Sequence, residues 1–507
     1  MYLSRLLSLT MALATFSHAV WAGQITLKST TSSVELIGEL KRFDQGVYTI
    51  ETDLGELEVD ARTVTCGGAS CPEIGSLASR VSIYGNHILI NQLLVPLLES
   101  YSFSLDANIE TAIETDDKSS IKITGKDKQK LAEISIKTGV SSNLDAGLLA
   151  FEDTLIIKSG SAKMMDSAKK QASVTPIAAD ALIAVTSDTN SVRSLSQGAL
   201  HRILSGAIVN WKDLGGPDAN INVYLPKETS DLAKIAKELG FDTSKLKTAT
   251  HFDNLEELAK AAASDPYGLG FTNFSNLRTA KALPILGHCG AFIQPSVFNI
   301  SSGSYPAVYY HYLQTSLKTP PIFMREFLSH LSNAQAKKMI DRRGYPSLSV
   351  FETGLENQGN RVVHGLLATS KSVPITETRT MLDLLNGARQ LSTVLRFTAD
   401  TQTLNPHSSF ALEALMSELF LGNYADQALM IIGFTESKGN TSDSKRSSKT
   451  SAELVSRMIK DADGSGQLVD LQIDVLGFGE ASPLACEDTP EGAAINNRVE
   501  IWVKDKL

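Results

Sequence analysis

Basic charge, cysteine and long apolar runs are all scarce in this chain. Its 507 residues hold 47 Lys and Arg against 56 Asp and Glu, a formal net charge of −9. That excludes nucleic acid as the main partner, because neutralising backbone phosphates takes clustered cations. Beyond residues 6–16 no apolar stretch approaches the ~20 residues that cross a bilayer. The nine His are scattered without ligand spacing, so neither a metal nor a cofactor is expected. No nucleophile–base pair or phosphate loop stands out, so no enzyme is expected.

What is present is an ordinary globular composition, 42% hydrophobic and 20% charged. The length calls for two or three domains rather than one core. Arg5, the apolar run 6–16 and Val20-Trp21-Ala22 read as a secretory signal (1–22), with the mature chain starting near Gly23. Export implies a periplasmic or outer-membrane-associated place in the cell envelope, where the four Cys can form disulfides. Cys66 and Cys71 flank a short Gly-rich loop and are expected to pair. Cys289 and Cys486 are left either to bridge the middle and C-terminal regions or to stand as two buried thiols.

Residues 23–75 alternate as short strands joined by turns at Asp44-Gln45-Gly46 and Asp53-Leu54-Gly55, a small β-barrel or meander. From 78 to 352 helices and strands alternate, the α/β signature. Within it, Leu200, Ile203 and Leu204 give one apolar helical face. Ser205-Gly206 stops that helix, Trp211 and the Gly215-Gly216-Pro217 turn follow, and Ile221, Val223 and Tyr224 alternate as a strand.

The words of 195–224 resemble the "L-x-x-I-F-S-G-x-I-x-N-W-x-D-x-G-G-P" block of phosphate-binding (PstS-like) solute receptors of ABC transporters. Asp265-Pro266-Tyr267-Gly268-Leu269-Gly270-Phe271 and Ser304-Tyr305-Pro306 extend that resemblance to about 81–350. It implies a bilobal periplasmic-binding-protein (type II) domain that closes on phosphate or another small anion, with an ABC permease as the associated partner. The ligand residues it implies are Gly85 and Asn86, where a helix start offers backbone N–H groups, then Ser141, Ser142, Ser159, Lys227, Thr229 and Ser230. Several family words are changed. Asn86-His87-Ile88 replaces "S-x-T", Thr154 and Gly160 stand at the family's Asp and Arg, and Pro226 and Asp231 interrupt its "R-x-x-x-S-G-T" clamp.

Residues 353–388 are rich in Thr, Ser and Asn and read as a connector ending in a helix. From 389 to 507 the order is strand, Asn405-Pro406 helix start, strand 429–432 and Gly433-Phe434-Thr435-Glu436. With the closing Ala494-x-Asn496-Asn497-Arg498-Val499-Glu500-Ile501, this resembles the OmpA-like peptidoglycan-binding family. The resemblance implies a βαβ domain and peptidoglycan as partner, with Glu436 at the position that grips the wall peptide's ammonium and Arg498 supporting it. Ser451 stands where the family keeps the Arg that takes the peptide's carboxylate. Asp461-x-Asp463-Gly464 begins like a calcium loop, but Gln472 occupies the twelfth position, so a solvated turn is expected.

The fold class expected is multidomain α/β and α+β. The function expected is a non-enzymatic periplasmic binding protein, an anion receptor held near the wall by an OmpA-like domain. The alternative is a ligand-free structural or signalling adaptor built on the same receptor fold.

Overall fold

The computed structural model describes residues 23–506 apart from 30–33, 45, 69, 73–77, 127, 140–144, 288, 369–372, 399–400, 438–439, 465 and 488–489. The signal segment 1–22, Ser141 and Ser142 lie outside the described residues. No described helix is long and apolar enough to cross a membrane.

The N-terminal region is an antiparallel sheet in which Val64–Gly67 pairs with the first strand, Gln24–Ser29. Ile25, Leu27, Tyr48 and Ile50 fill its core. Cys66 and Cys71 are bonded at the end of its last strand. An Arg325–Glu58 ion pair at 2.8 Å ties this sheet to the lobe beside it.

The middle region is one long sheet bent into two lobes. In the first, strand Ser79–Gly85 lies parallel to Lys130–Thr138 and to Thr154–Gly160. In the second, Asn222–Pro226 lies parallel to Thr250–Phe252 and Gly268–Asn273. Two strands join the lobes: Ser173–Thr186 pairs with Val308–Thr315 along its first half and with Gly268–Asn273 at its far end. Each lobe has its own apolar cluster, so the pair of joining strands is the natural hinge.

The stretch 195–224 folds as its pattern implied. Ser196 accepts from the Ala199 N–H and caps helix Gln197–Leu204, whose Leu200, Ile203 and Leu204 are buried. Gly206 and Gly215 take positive φ at the turns that follow. Trp211 is fully buried and donates its indole N–H to the Tyr267 carbonyl at 2.9 Å.

In the C-terminal region the sheet order is Glu352–Gly354, Arg389–Leu395, Arg498–Asp505, Gln427–Phe434, Ile473–Gly477. Alternation along strand Gln427–Phe434 sends Leu429 and Ile431 to one face and Met430 and Ile432 to the other. Helices Pro406–Phe420 and Thr441–Ala462 cover the first face. Helix Ile375–Leu385 covers the second with Met381 and Leu385. The residues read as a connector are therefore built into this domain. They supply an edge strand, Glu352–Gly354, and helices Gly359–Ala368 and Ile375–Leu385. Asp463 accepts from the N–H groups of Gln467 and Leu468 at 2.9 and 2.8 Å, which makes it a turn cap.

The C-terminal region sits against the hinge strands. Tyr310, on the second hinge strand, meets His407 Nδ1 at 2.6 Å. Arg396 is buried and donates to the Ser302 carbonyl at 3.1 Å. Lys169 lies over the Phe410 ring at 4.4 Å. Cys289 and Cys486 are bonded, joining the two regions covalently across 197 residues of sequence.

Candidate functional site

Four of the residues expected around an anion converge between the lobes. Gly85 ends its strand opposite Ile157, and a Cβ there would stand 2.5 Å from the Ile157 side chain. Only glycine allows that approach. Ser159 lies two residues further along the same neighbouring strand. Asn86 follows Gly85 and starts the helical segment with Ile88 and Leu89. Ser230 starts helix Asp231–Glu238 of the opposite lobe.

Each is already engaged within the protein. Asn86 Oδ1 accepts from the N–H groups of Ile88 and Leu89 at 2.8 and 3.4 Å, the donors that a helix start would offer an anion. Asn86 Nδ2 crosses the cleft to Asp231 Oδ2 at 3.3 Å. Ser230 Oγ accepts from the Ala233 N–H at 3.1 Å. Asp231 thus places a carboxylate in the first turn of helix Asp231–Glu238, satisfying the positive end of its dipole from within. Lys227 and Thr229 are exposed, and Lys227 pairs with Asp253 at 2.5 Å.

A second contact crosses the lobes beside the first. Ser161 Oγ donates to Glu238 at 2.7 Å and caps helix Ala162–Ala168. Next to it opens a cavity of about 410 Å³ lined by Lys158, Lys163, Glu238, Tyr312 and Gln314. Burial lowers the Lys158 ammonium, against a raising effect from Asp231. Burial, with Glu238 nearby, pushes the Tyr312 hydroxyl up to about 12.

Behind the cleft lies a group that the spacing of residues in sequence did not bring together. Ser159 Oγ meets His311 Nδ1 at 2.8 Å, and His311 Nε2 meets Asp180 Oδ2 at 3.4 Å. Ser–His–Asp is the order of a nucleophile, base and orienting acid. Here Asp180 is the hub of the hinge instead. It also accepts from Asn273 at 2.9 Å, from the Ser275 hydroxyl at 2.7 Å and from the Ala181 N–H at 2.8 Å. Tyr309 and Tyr345 meet the His311 ring edge-on. Asp180 and His311 carried a signal in the sequence: each is a lone polar residue inside an apolar strand, and such residues are buried only with partners.

The C-terminal candidate site is arranged differently. Asn497 Oδ1 accepts from the Glu436 N–H at 2.8 Å, and Glu487 accepts from the Ser437 N–H at 3.0 Å. Asn496 holds the loop opposite, accepting from Leu484 and Ala485 N–H at 2.7 and 3.0 Å and donating to Glu487 at 2.8 Å. Glu436 is half-buried at this rim, and Ser451 is half-buried on helix Thr441–Ala462. Gly433 lets that helix lie directly on the strand, since a Cβ there would collide with the Ser448 carbonyl.

Arg498 lies beneath the rim with no exposed side-chain surface. It stacks on Phe434 at 4.4 Å and donates to Glu500 at 2.7 Å. Arg361, from the helix after the edge strand, grips the same Glu500 with two bonds at 2.8 and 2.9 Å. Burial alone would raise the Glu500 carboxyl, but Arg361 and Arg498 overcome it and hold it at about 2. Arg361 and Glu500 were not singled out in the sequence as a pair, because 139 residues separate them.

Residues 145–334 match a family model described as a PBP superfamily domain. The phosphate-binding protein PstS of Bacillus subtilis (strain 168) is 26% identical over 166 residues, 32% of this chain and 53% of that protein. PstS of Staphylococcus haemolyticus is 25% identical over 168 residues, 31% of this chain and 52% of that protein. The chain spans about half the length of these curated relatives. Among solved structures, an ABC-type phosphate transport receptor from Vibrio cholerae is similar at 20% identity. That match covers 52% of this chain and 98% of that one, with a TM-score of 0.40. The peptidoglycan-associated lipoprotein from Burkholderia pseudomallei is similar at 18% identity over 22% of this chain and 90% of that one, with a TM-score of 0.19. The architecture is an N-terminal antiparallel sheet, a two-lobed middle region of which residues 145–334 match the PBP superfamily model, and a C-terminal mixed sheet flanked by helices.

Proposed function

We propose that this chain is a non-enzymatic protein of the periplasmic cell envelope. Its PstS-like domain is held closed and serves as a binding platform, and its OmpA-like domain keeps it beside the peptidoglycan. The observation that carries this reading is the Asn86–Asp231 bond across the cleft. The helix-start donors that would take a phosphate are spent on Asn86 itself, and a carboxylate stands where the anion would sit. A phosphate entering there loses those donors and meets the like charge of Asp231, a repulsion that solvent screens because Asp231 is exposed.

The docking of the C-terminal domain supports the same reading. A receptor that delivers its ligand to an ABC permease opens and closes about its hinge. Here Tyr310 on a hinge strand is bonded to His407 of the neighbouring domain, and Arg396 reaches over to Ser302. That favours a fixed form over a shuttle.

A second reading keeps an anion ligand. Lys158 and Lys163 line one cavity at the cleft edge, which favours a small anion other than bare phosphate. Titration calorimetry of the full chain with phosphate, sulfate and small carboxylates separates the two. No saturable heat supports the platform. Heat from a carboxylate alone supports the second reading, and heat from micromolar phosphate overturns both. Co-sedimentation with isolated peptidoglycan tests the wall contact, which is expected to weaken in Glu436→Ala.

A further inference from the structure

The seam between the PstS-like and OmpA-like domains encloses a cavity of about 430 Å³, within the size range of small-ligand sites. It lies apart from the interlobe cleft and shares Arg361 with the support beneath the C-terminal rim. One wall is the receptor segment 292–304, and the other comes from residues 353–364, Gln390 and the 483–484 loop of the C-terminal domain.

The lining is rich in side-chain amides, Gln294, Asn299, Gln358 and Gln390 among them, with the rings of Phe292 and Phe298. No lining residue is a carboxylate. The one strong cation, Arg361, has its donors committed. Nε goes to Ser482 at 2.9 Å, one terminal nitrogen to Gln358 and Gln390 at 2.9 and 3.0 Å, and the other to Glu500. An anion entering the cavity therefore finds its charge already neutralised.

Arg361 also fixes which way two of the amides face. A guanidinium only donates, so it must be met by the oxygens of Gln358 and Gln390, and their N–H₂ groups are left for other acceptors. Gln358 Nε2 is buried and has no partner among the described residues. Gln390 is 3% exposed. Asn299 spends its own N–H₂ on the Gln294 carbonyl at 2.8 Å, so what it offers is an acceptor. The cavity thus presents oriented donors, an acceptor and aromatic faces without net charge. Hydroxyl groups both donate and accept, and a pyranose adds apolar C–H faces to its hydroxyl rim.

We infer that this seam cavity is a binding site for a neutral saccharide of one or two rings. The disulfide Cys289–Cys486 holds its two walls together, with His364 packed at 3.7 Å from the Cys289 sulfur.

The test is calorimetric titration of the full chain with two neutral disaccharides, maltose and N,N′-diacetylchitobiose, with inorganic phosphate as the charged control. Saturable binding of either sugar is expected, with no competition from phosphate. Preference for diacetylchitobiose points to acetamido glycans of the envelope as the source, and preference for maltose to free sugars. Gln358→Leu should weaken binding at least about tenfold, or 1.4 kcal/mol. Asn357→Trp, at an exposed lining position, should do the same by filling the entrance without touching Arg361. Asn86→Ala in the interlobe cleft should leave the affinity unchanged. The inference fails if neither sugar binds a folded chain at millimolar concentration. It fails equally if binding survives both seam variants, or if phosphate displaces the sugar.

Discussion

The interlobe cleft and the C-terminal rim both lie where strands end and helices begin, yet their polar groups are used in opposite ways. In the cleft the new residues bond to one another: Asn86 caps its own helix and reaches Asp231, and Ser161 reaches Glu238. At the rim the loops are held apart from below. Asn496, Asn497 and Glu487 fix the backbone, while Glu436 and Ser451 stay half-buried at the surface. One region is bridged by its own side chains, whereas the other has its loop backbone fixed from beneath. A cleft of the first kind resists gaining a ligand through a single change, and a rim of the second kind does not.

The sharpest way to break this contrast is to remove the support under the rim. Glu500→Gln leaves Arg361 and Arg498 buried without their carboxylate and should cost about 3–5 kcal/mol in denaturant unfolding. The same residue sets a pH dependence. Its carboxyl is held at about 2 against an ordinary 4.5, so its contribution is complete above about 4.5 and lost as pH falls towards 2. Thermal midpoints measured from pH 6 to pH 2.5 should fall across that window in the wild type and less steeply in Glu500→Gln.

A smaller effect sharpens the contrast from the rim side. Ser451→Arg adds a guanidinium at the half-buried Ser451 position on a frame that is already in place. It should raise retention on isolated peptidoglycan about tenfold, or 1.4 kcal/mol. The matching change in the cleft, Asp231→Asn, removes the carboxylate but leaves Asn86 over the helix start. Phosphate binding by calorimetry should then stay weaker than millimolar, and a gain to micromolar affinity would erase the distinction between the two sites. Smallest of all is Lys227→Ala. Its pair with Asp253 is exposed, and such pairs contribute between 0 and about 1 kcal/mol, so stability and phosphate response should both stay near wild type.

Much of the scaffold was legible in the sequence because it rests on local rules. Ser196, Leu200, Gly206, Trp211 and Gly215 each do what their chemistry dictates within one or two turns of chain. Asn405 caps its helix for the same reason. The pairing of Cys66 with Cys71 followed from closeness in sequence, while Cys289 with Cys486 depended on how two domains meet. The state of the cleft was not legible. Lys227 reads as a free cation until Asp253 is seen beside it, and Asn86 meets a residue 145 positions away. The segment 353–388 looked like a connector because it is rich in Thr, Ser and Asn, but Met381 and Leu385 anchor it to the sheet. Arg498 matched a wall-binding motif, yet its position under Phe434 and Glu500 depends on the folded sheet.

The bond between Cys289 and Cys486 has a mechanical meaning. A force that pulls the middle and C-terminal regions in opposite directions meets a covalent bond. The cross-link carries such a load through a covalent path that bypasses the contacts of Arg396 and His407 at the seam. A protease that cuts the chain anywhere between the two cysteines leaves two fragments that stay together until they are reduced.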